Sequence, residues 1–177
     1  GTIVPMVTGC STNPVTGEQQ LILPGFDNAS LAAMSTSAWS EMKKQTPQTG
    51  DSRLRSRVLT TWDRTAKGRS AALKDKYNQD VAYVPAEWEV AVFDTDDVNA
   101  FVRPGQQVGV YRGITELTEN DDQLASILGH EAGHIDGRHS AARASAQVTA
   151  QVAMVAGQVA IAQSEELSQY GGALAAL

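Results

Sequence analysis

The sequence predicts an α+β fold that is mostly helical and contains one small β-sheet. Apolar residues recur at helical spacing in the first and last thirds of the chain, whereas the middle third holds two short valine-rich runs typical of strands. Helices, then strands, then helices favour this class over a parallel α/β fold, in which the two kinds of element alternate. A chain of 177 residues is long enough to bury one hydrophobic core.

Two helices are expected before the strands, over residues 31–44 and 51–66, and the segment 71–77 is expected to continue the second. Each carries an apolar stripe with the spacing of one helix face. The stripes are Met34, Ala38 and Met42 in the first helix, and Leu54, Val58 and Trp62 in the second. Pro47 and Gly50 lie between the two helices and separate them.

The predicted strands cover residues 88–93 and 107–111, with a turn at Arg103-Pro104-Gly105 between them. Capping residues at 118–122 then introduce a third helix, which Gly137 ends. A last amphipathic helix is expected over residues 140–163. Its glutamines argue against a membrane span.

The N-terminal residues are expected to lie outside the folded domain. Val7-Thr8-Gly9-Cys10 resembles a bacterial lipoprotein box, in which the cysteine becomes the acylated first residue. We therefore expect residues 1–29 to hold a signal remnant, the lipoprotein box and a flexible tether, and residues 30–177 to form the domain. A lipid on Cys10 would anchor the protein to the periplasmic side of a Gram-negative outer membrane.

The net charge of −6 is unevenly distributed along the chain. Residues 43–76 contain ten of the fourteen basic residues and three acids, so this segment carries +7 and the rest carries −13. The acidic total argues against nucleic acid as a partner. Arg53, Arg57 and Arg64 lie near one helix face, so a membrane-surface binding module is an alternative function, and a solvated helix face is the simpler interpretation.

His130-Glu131-Ala132-Gly133-His134 has the HExxH pattern and falls inside the third predicted helix. At about 100° per residue, the two imidazoles lie about 40° apart and one turn apart, so both can reach one metal ion. In zinc peptidases such histidines bind one zinc ion, and the glutamate takes a proton from the attacking water. A structural metal clip or an exposed polar face is the alternative.

Catalytic zinc usually has three protein ligands, and HExxH supplies two. His139 is one residue short of the metzincin spacing, which favours an orienting or capping role over ligation. Glu165 and Glu166 are the acidic candidates beyond the motif. His139 and a residue of another chain are the further alternatives for the third ligand, and a catalytically silent scaffold is an alternative function.

The run Gly-His-Glu-Ala-Gly-His-Ile-Asp-Gly-Arg-His-Ser at 129–140 resembles the active-site helix of HtpX-type zinc metallopeptidases, a gluzincin family. Residues 97–105, 108–114 and 120–130 follow the same family's pattern in order, and residues 10–17 resemble its periplasmic lipoprotein branch. Gln106 departs from the pattern where the family has a second glycine. No Glu-x-x-x-Asp, which holds the family's third zinc ligand, follows the HExxH motif, so the resemblance implies a C-terminally shortened peptidase with an incomplete zinc site.

The resemblance implies a zincin-like domain in which an edge strand flanks the active-site helix. It also implies that substrate backbone pairs with the strand bearing Asn99, Ala100 and Phe101, by β-augmentation. The implied activity is a zinc endopeptidase for protein or peptide substrates. Main-chain recognition tolerates many sequences, which suits removal of misfolded or envelope proteins.

Overall fold

The computed structural model describes residues 10–155 and confirms a mostly helical α+β fold. The elements are β1 (Cys10–Thr12), β2 (Gln19–Leu21), α1 (Asn28–Gln45), α2 (Ser52–Tyr77), a 3-10 turn (Pro85–Glu87), β3 (Glu89–Phe93), β4 (Ala100–Arg103), β5 (Gln107–Tyr111), α3 (Arg112–Leu117) and α4 (Asp121–Asp136). Residues 139–155 are helical and are called α5. Residues 7–9 of the predicted lipoprotein box, the predicted helix beyond 155, Glu165 and Glu166 lie outside the described residues.

The predicted helices and strands are present, with one simplification. The second helix is continuous through residues 52–77, because Gly68 faces open space and nothing forces a break there. Within residues 10–155, no helix combines the length and the apolar character needed to cross a membrane.

The main sheet has three strands in the order β3-β5-β4. The central strand β5 runs parallel to β3 and antiparallel to β4. The outer edge of β3 is partly covered, since the Thr49 N–H donates to the Val92 carbonyl over 2.8 Å and Gln48 forms a bridge with Phe93. Among the described strands, none pairs with the outer edge of β4, which is therefore the open edge of the sheet.

Alternation along the strands gives the sheet two apolar faces. One face packs against α2 and α4, and the other against α1. The main cluster contains Val58 and Trp62 of α2, Val92, Val102, Val108 and Val110 of the sheet, and Leu124, Leu128 and Ala132 of α4. The second cluster contains Trp39 of α1 with Ala91 and Phe93. The sheet is thus a buried central layer.

The basic segment packs against the acidic part of the chain. Arg57, Arg64 and Arg69 of α2 form ion pairs with Asp121, Asp122 and Asp136 of α4, respectively. Arg69 and Asp136 are the most buried pair, with side chains 12% and 10% exposed, and Arg69 also lies over the Trp88 ring. Because carboxylates of α4 pair with Arg57 and Arg64, the structure does not favour a membrane-surface module built on these two residues.

The described part of the predicted tether is docked on the domain. Residues 10–21 form a hairpin, and the buried Asn13 side chain donates from Nδ2 to the Gly137 carbonyl over 3.0 Å. The Leu23 N–H donates to Ser145 Oγ over 2.9 Å. Residues 10–21 of the predicted flexible tether are therefore ordered against the domain, and turn-forming residues close their hairpin. The domain boundary at residue 29 stays a prediction, and Cys10 is exposed.

The departure at Gln106 gives a first prediction. Gln106 lies at φ 63° directly after Gly105 at φ 98°, in the turn between β4 and β5. A left-handed residue costs about 1 kcal/mol when it has a side chain, and glycine avoids this cost. We expect Gln106→Gly to raise the Tm by about 2–4 °C in thermal unfolding. Gln106→Ala, which loses the same side chain and keeps the strain, should show no such gain; an equal gain would contradict the explanation.

The Arg69–Asp136 pair gives a second prediction. Arg69→Met leaves the Asp136 carboxylate buried without its partner, which should lower the free energy of unfolding by about 3–5 kcal/mol. Arg64→Met is the matched control on the same two helices, because its pair is exposed and should change stability by less than about 1 kcal/mol. Urea unfolding of both variants provides the measurement. Equal losses of unfolding free energy in the two variants would show that burial does not determine how much these ion pairs stabilise the fold.

Candidate active site

Helix α4 carries the HExxH motif, and its packing determines which way the motif points. Asn120 caps the helix, since its Oδ1 accepts from the Asp122 and Gln123 N–H groups over 3.1 and 2.9 Å. Leu124, Leu128 and Ala132 form the buried stripe of α4. At about 100° per residue, His130 and His134 lie on the opposite side from Leu128. Burial of the stripe therefore turns both imidazoles away from the core.

His130, Glu131 and His134 come together as the spacing predicts. Each offers one ligand atom, and these atoms all lie within 4.8 Å of one another. The two imidazole rings are 4.7 Å apart between centroids, at an angle of 80°. His130 is exposed, and the other two are half-buried. Imidazole nitrogens are donors that zinc binds in peptidases, so His130 and His134 fit two ligand positions of a zinc ion, with the Glu131 carboxylate beside them.

The third histidine of the chain contacts the motif without joining the cluster. His139 Nδ1 lies 2.8 Å from His134 Nδ1, at hydrogen-bond distance, and the rings are 5.1 Å apart. This hydrogen bond occupies His134 Nδ1 and leaves Nε2 for a metal ion. The geometry is that of the orienting role that the sequence favours for His139.

A third protein ligand is not found near the motif within residues 10–155. The metal-binding group there consists of His130, Glu131 and His134. Asp136 is the nearest further carboxylate along α4, but it is engaged by Arg69, whose Nε donates to it over 2.7 Å. Glu165 and Glu166 lie outside the described residues and stay predictions.

Strand β4 packs along α4 and presents the open edge beside the motif. The Tyr111 N–H donates to the Asn99 carbonyl over 3.0 Å, so residues 99 and 111 form a hydrogen-bonded pair. Because such pairs alternate in an antiparallel ladder, the main-chain groups of Phe101 also point to β5, and those of Ala100 and Val102 point to the open edge. Of the three predicted substrate-binding residues, only Ala100 turns its main chain outward.

Val102 is thus the residue that the sequence interpretation missed. Its side chain is 7% exposed and belongs to the core. A valine in the sequence therefore indicates a packing role and gives no sign that its main chain faces the open edge. Counting in steps of two from a known pair would have found it. Phe101 instead packs its ring over Gly109 of the neighbouring strand, where any Cβ would overlap the ring.

The loop before β4 is held by α3. Arg112 forms ion pairs with Asp94, Asp96 and Glu116, and these carboxylates raise the pKa of its guanidinium above the usual value. The following Gly113 lies directly against the Asp96 carbonyl, leaving no space for a side chain. Residues 94–97 therefore have a defined path into the open strand.

A recess of about 410 Å³ lies where β4 ends. Met34 and Ala38 of α1 form one wall, Val102 and Pro104 form another, and Ser140 of α5 closes the side next to His139. The lining of the recess is mostly apolar and includes the last residues of β4.

Comparison with known proteins identifies the family of this chain. Residues 64–177 match peptidase family M48. The mitochondrial metalloendopeptidase OMA1 of Bos taurus is 30% identical over 147 residues, covering 81% of this chain and 26% of the relative. The metalloprotease YcaL of Escherichia coli K12 is 39% identical over 70 residues, which cover 40% of this chain and 26% of the relative. The beta-barrel assembly-enhancing protease of Yersinia pestis is 38% identical over 48 residues, which cover 27% of this chain and 10% of the relative.

The chain spans about a quarter of the length of the Bos taurus OMA1, which it matches over 81% of its own length. The family match covers more than half of this chain and includes α4, β4 and β5. Metallopeptidases act on protein or peptide substrates and typically use zinc. This chain belongs to peptidase family M48.

Proposed function

We propose that the chain carries the catalytic centre of a zinc-dependent endopeptidase. In this proposal, His130 and His134 bind the zinc ion and Glu131 is the general base. The observation that carries it is the placement of these three groups within 4.8 Å on α4, beside an open strand edge. Membership in peptidase family M48 supports a metal-dependent peptide hydrolysis.

The zinc ion, when bound, polarises the scissile carbonyl and makes water a stronger nucleophile. Glu131 accepts the proton of the attacking water on its carboxylate and then donates it to the leaving amine. It neighbours His130 in the chain and is half-buried, so its carboxylate is held beside the reacting groups. The buried stripe of α4 holds His130 and His134 on the opposite side of the helix.

The substrate is proposed to bind as an extended strand along β4. Its main chain pairs with the outward groups of Ala100 and Val102, and the recess beside Met34 receives one of its side chains. Main-chain pairing places few demands on sequence, and unfolded segments are the chains that can adopt an extended form. This supports misfolded or envelope proteins as substrates.

The cellular setting is part of the proposal. We infer lipidation at Cys10 and attachment to the periplasmic side of the outer membrane, on the basis of the lipoprotein box. The exposure of Cys10 is compatible with modification, and the similarity to the beta-barrel assembly-enhancing protease supports an envelope role. Glu165 and Glu166 are proposed as candidates for the third zinc ligand, and a residue of another chain is the alternative.

Glu131→Gln tests the catalytic assignment. The change keeps the size of the side chain and removes the base, so casein cleavage should fall by about 10²–10⁴-fold while zinc content is unchanged. Glu119→Gln, just before α4, is the control and should leave both unchanged. The measurements are casein hydrolysis by a zinc-loaded, active form and its metal content. Cleavage by Glu131→Gln at the unmodified rate would refute the role of Glu131.

N-methylation of a cleaved peptide tests the docking mode. A methyl group on alternate peptide nitrogens blocks the hydrogen bonds of one edge only. One set of alternate positions should raise KM at least tenfold, and the complementary set should have little effect, because only one edge of the substrate faces β4. KM for both peptide series provides the readout. Equal effects of the two sets would exclude pairing along this strand.

A further inference from the structure

We propose that His139 positions the metal ligand His134, and that the hairpin of residues 10–21 holds His139 in place. The inference rests on the proposed function, since it concerns one of the two proposed zinc ligands. It assigns a role to a histidine outside HExxH and to a hairpin that lies over 100 residues away in sequence.

The first step is the contact between the two imidazoles. His134 Nδ1 and His139 Nδ1 are 2.8 Å apart, so one donates and the other accepts. An imidazole whose Nδ1 is in such a bond has a defined ring orientation, and its Nε2 is directed to the other side. His139 thus selects the nitrogen that His134 offers to zinc.

The second step is the turn that brings the rings together. Helix α4 ends at Gly137, and Arg138 follows with φ 53°, so the chain turns sharply before α5 begins at residue 139. A Cβ on Gly137 would lie 2.6 Å from His139 Nε2, so the ring packs directly on the glycine. The His139 ring is therefore confined between Gly137 and His134.

The third step is the support of this turn by the hairpin. The Gly137 carbonyl accepts two hydrogen bonds of 3.0 Å, from Asn13 Nδ2 and from Gln20 Nε2. Arg138 Nη1 donates to Ser11 Oγ over 3.0 Å. These contacts fall on the two residues that separate α4 from His139, so the hairpin holds the turn at the point that sets the His139 ring.

Asn13 is the central residue of this support. It is 1% exposed, and its Oδ1 accepts from the N–H groups of Val15 and Thr16 over 2.8 and 3.1 Å. These two bonds fix the amide so that Nδ2 points at Gly137. Because Asn13 is buried, breaking its hydrogen bond to Gly137 would leave a buried donor without this partner, which costs free energy.

Substitutions at His139 test the first two steps. His139→Leu removes the hydrogen bond and should weaken zinc binding about 10–100-fold in competition with a chelator. His139→Asn places an amide atom near the position of Nδ1 and should restore most of the affinity. The Tm of the zinc-free protein is measured for both, so that loss of the fold is seen separately. Wild-type affinity in His139→Leu would overturn the proposal.

Two further readouts keep the outcomes distinct. In the zinc-free protein, the ¹⁵N chemical shifts of the His134 ring should show a hydrogen-bonded Nδ1, and this hydrogen bond should be lost in His139→Leu. Unchanged shifts in the variant would overturn the inference even if the protein bound no zinc. With Co²⁺ in place of zinc, the visible spectrum of His139→Asn should match the wild type. A changed coordination spectrum would make His139 a ligand and would also overturn the positioning role.

A matched pair of hairpin variants tests the third step. Asn13→Asp keeps the acceptor for Val15 and Thr16 and removes the donor to Gly137, so zinc affinity should fall in the same direction as in His139→Leu. Gln19→Ala removes an exposed bond to Thr12 in the same hairpin and should leave zinc affinity unchanged. Equal affinities for Asn13→Asp and the wild type would show that the hairpin does not support the site.

Discussion

Burial of one face of α4 is the constraint on which the site depends. Leu124, Leu128 and Ala132 are packed against α2 and the sheet, and each large apolar side chain contributes about 1.5–3 kcal/mol when fully buried. This packing fixes the rotation of α4 about its axis. His130 and His134 are consequently held on the far side, one helical turn apart, without a loop to position them.

Ion pairs between α2 and α4 fix a second property of α4, its position along α2. Arg57 pairs with Asp121 at the start of α4, and Arg69 pairs with Asp136 at its end, where the pair is shielded from water. Opposite charges at both ends define a single register between the helices. The charge asymmetry of the chain therefore serves its own assembly, which explains why a basic segment exists in an acidic protein.

The strand order and the packing of β4 against α4 connect the open edge of the sheet with the helix that carries the motif histidines. The order β3-β5-β4 leaves β4 unpaired on one side, and β4 itself packs along α4. Residues 48–49 partly cover the opposite edge of the sheet. In the proposed function, a substrate peptide extends the sheet at β4, the strand that packs against the helix carrying the motif.

Local periodicity was sufficient to predict the fold class, helices α1, α2 and α4, the described part of α5, both valine-rich strands and the approach of the two motif histidines. These features depend on residues a few positions apart, whose relative placement follows from helix and strand geometry alone. Periodicity did not predict α3 or the hairpin of residues 10–21. The partners of Arg57 and Arg69, the outward main chain of Val102, the docking of Asn13 on Gly137 and the His134–His139 contact required the tertiary structure. Each depends on how separate elements pack or on how the chain turns between them, and one sequence's periodicity carries no information about either.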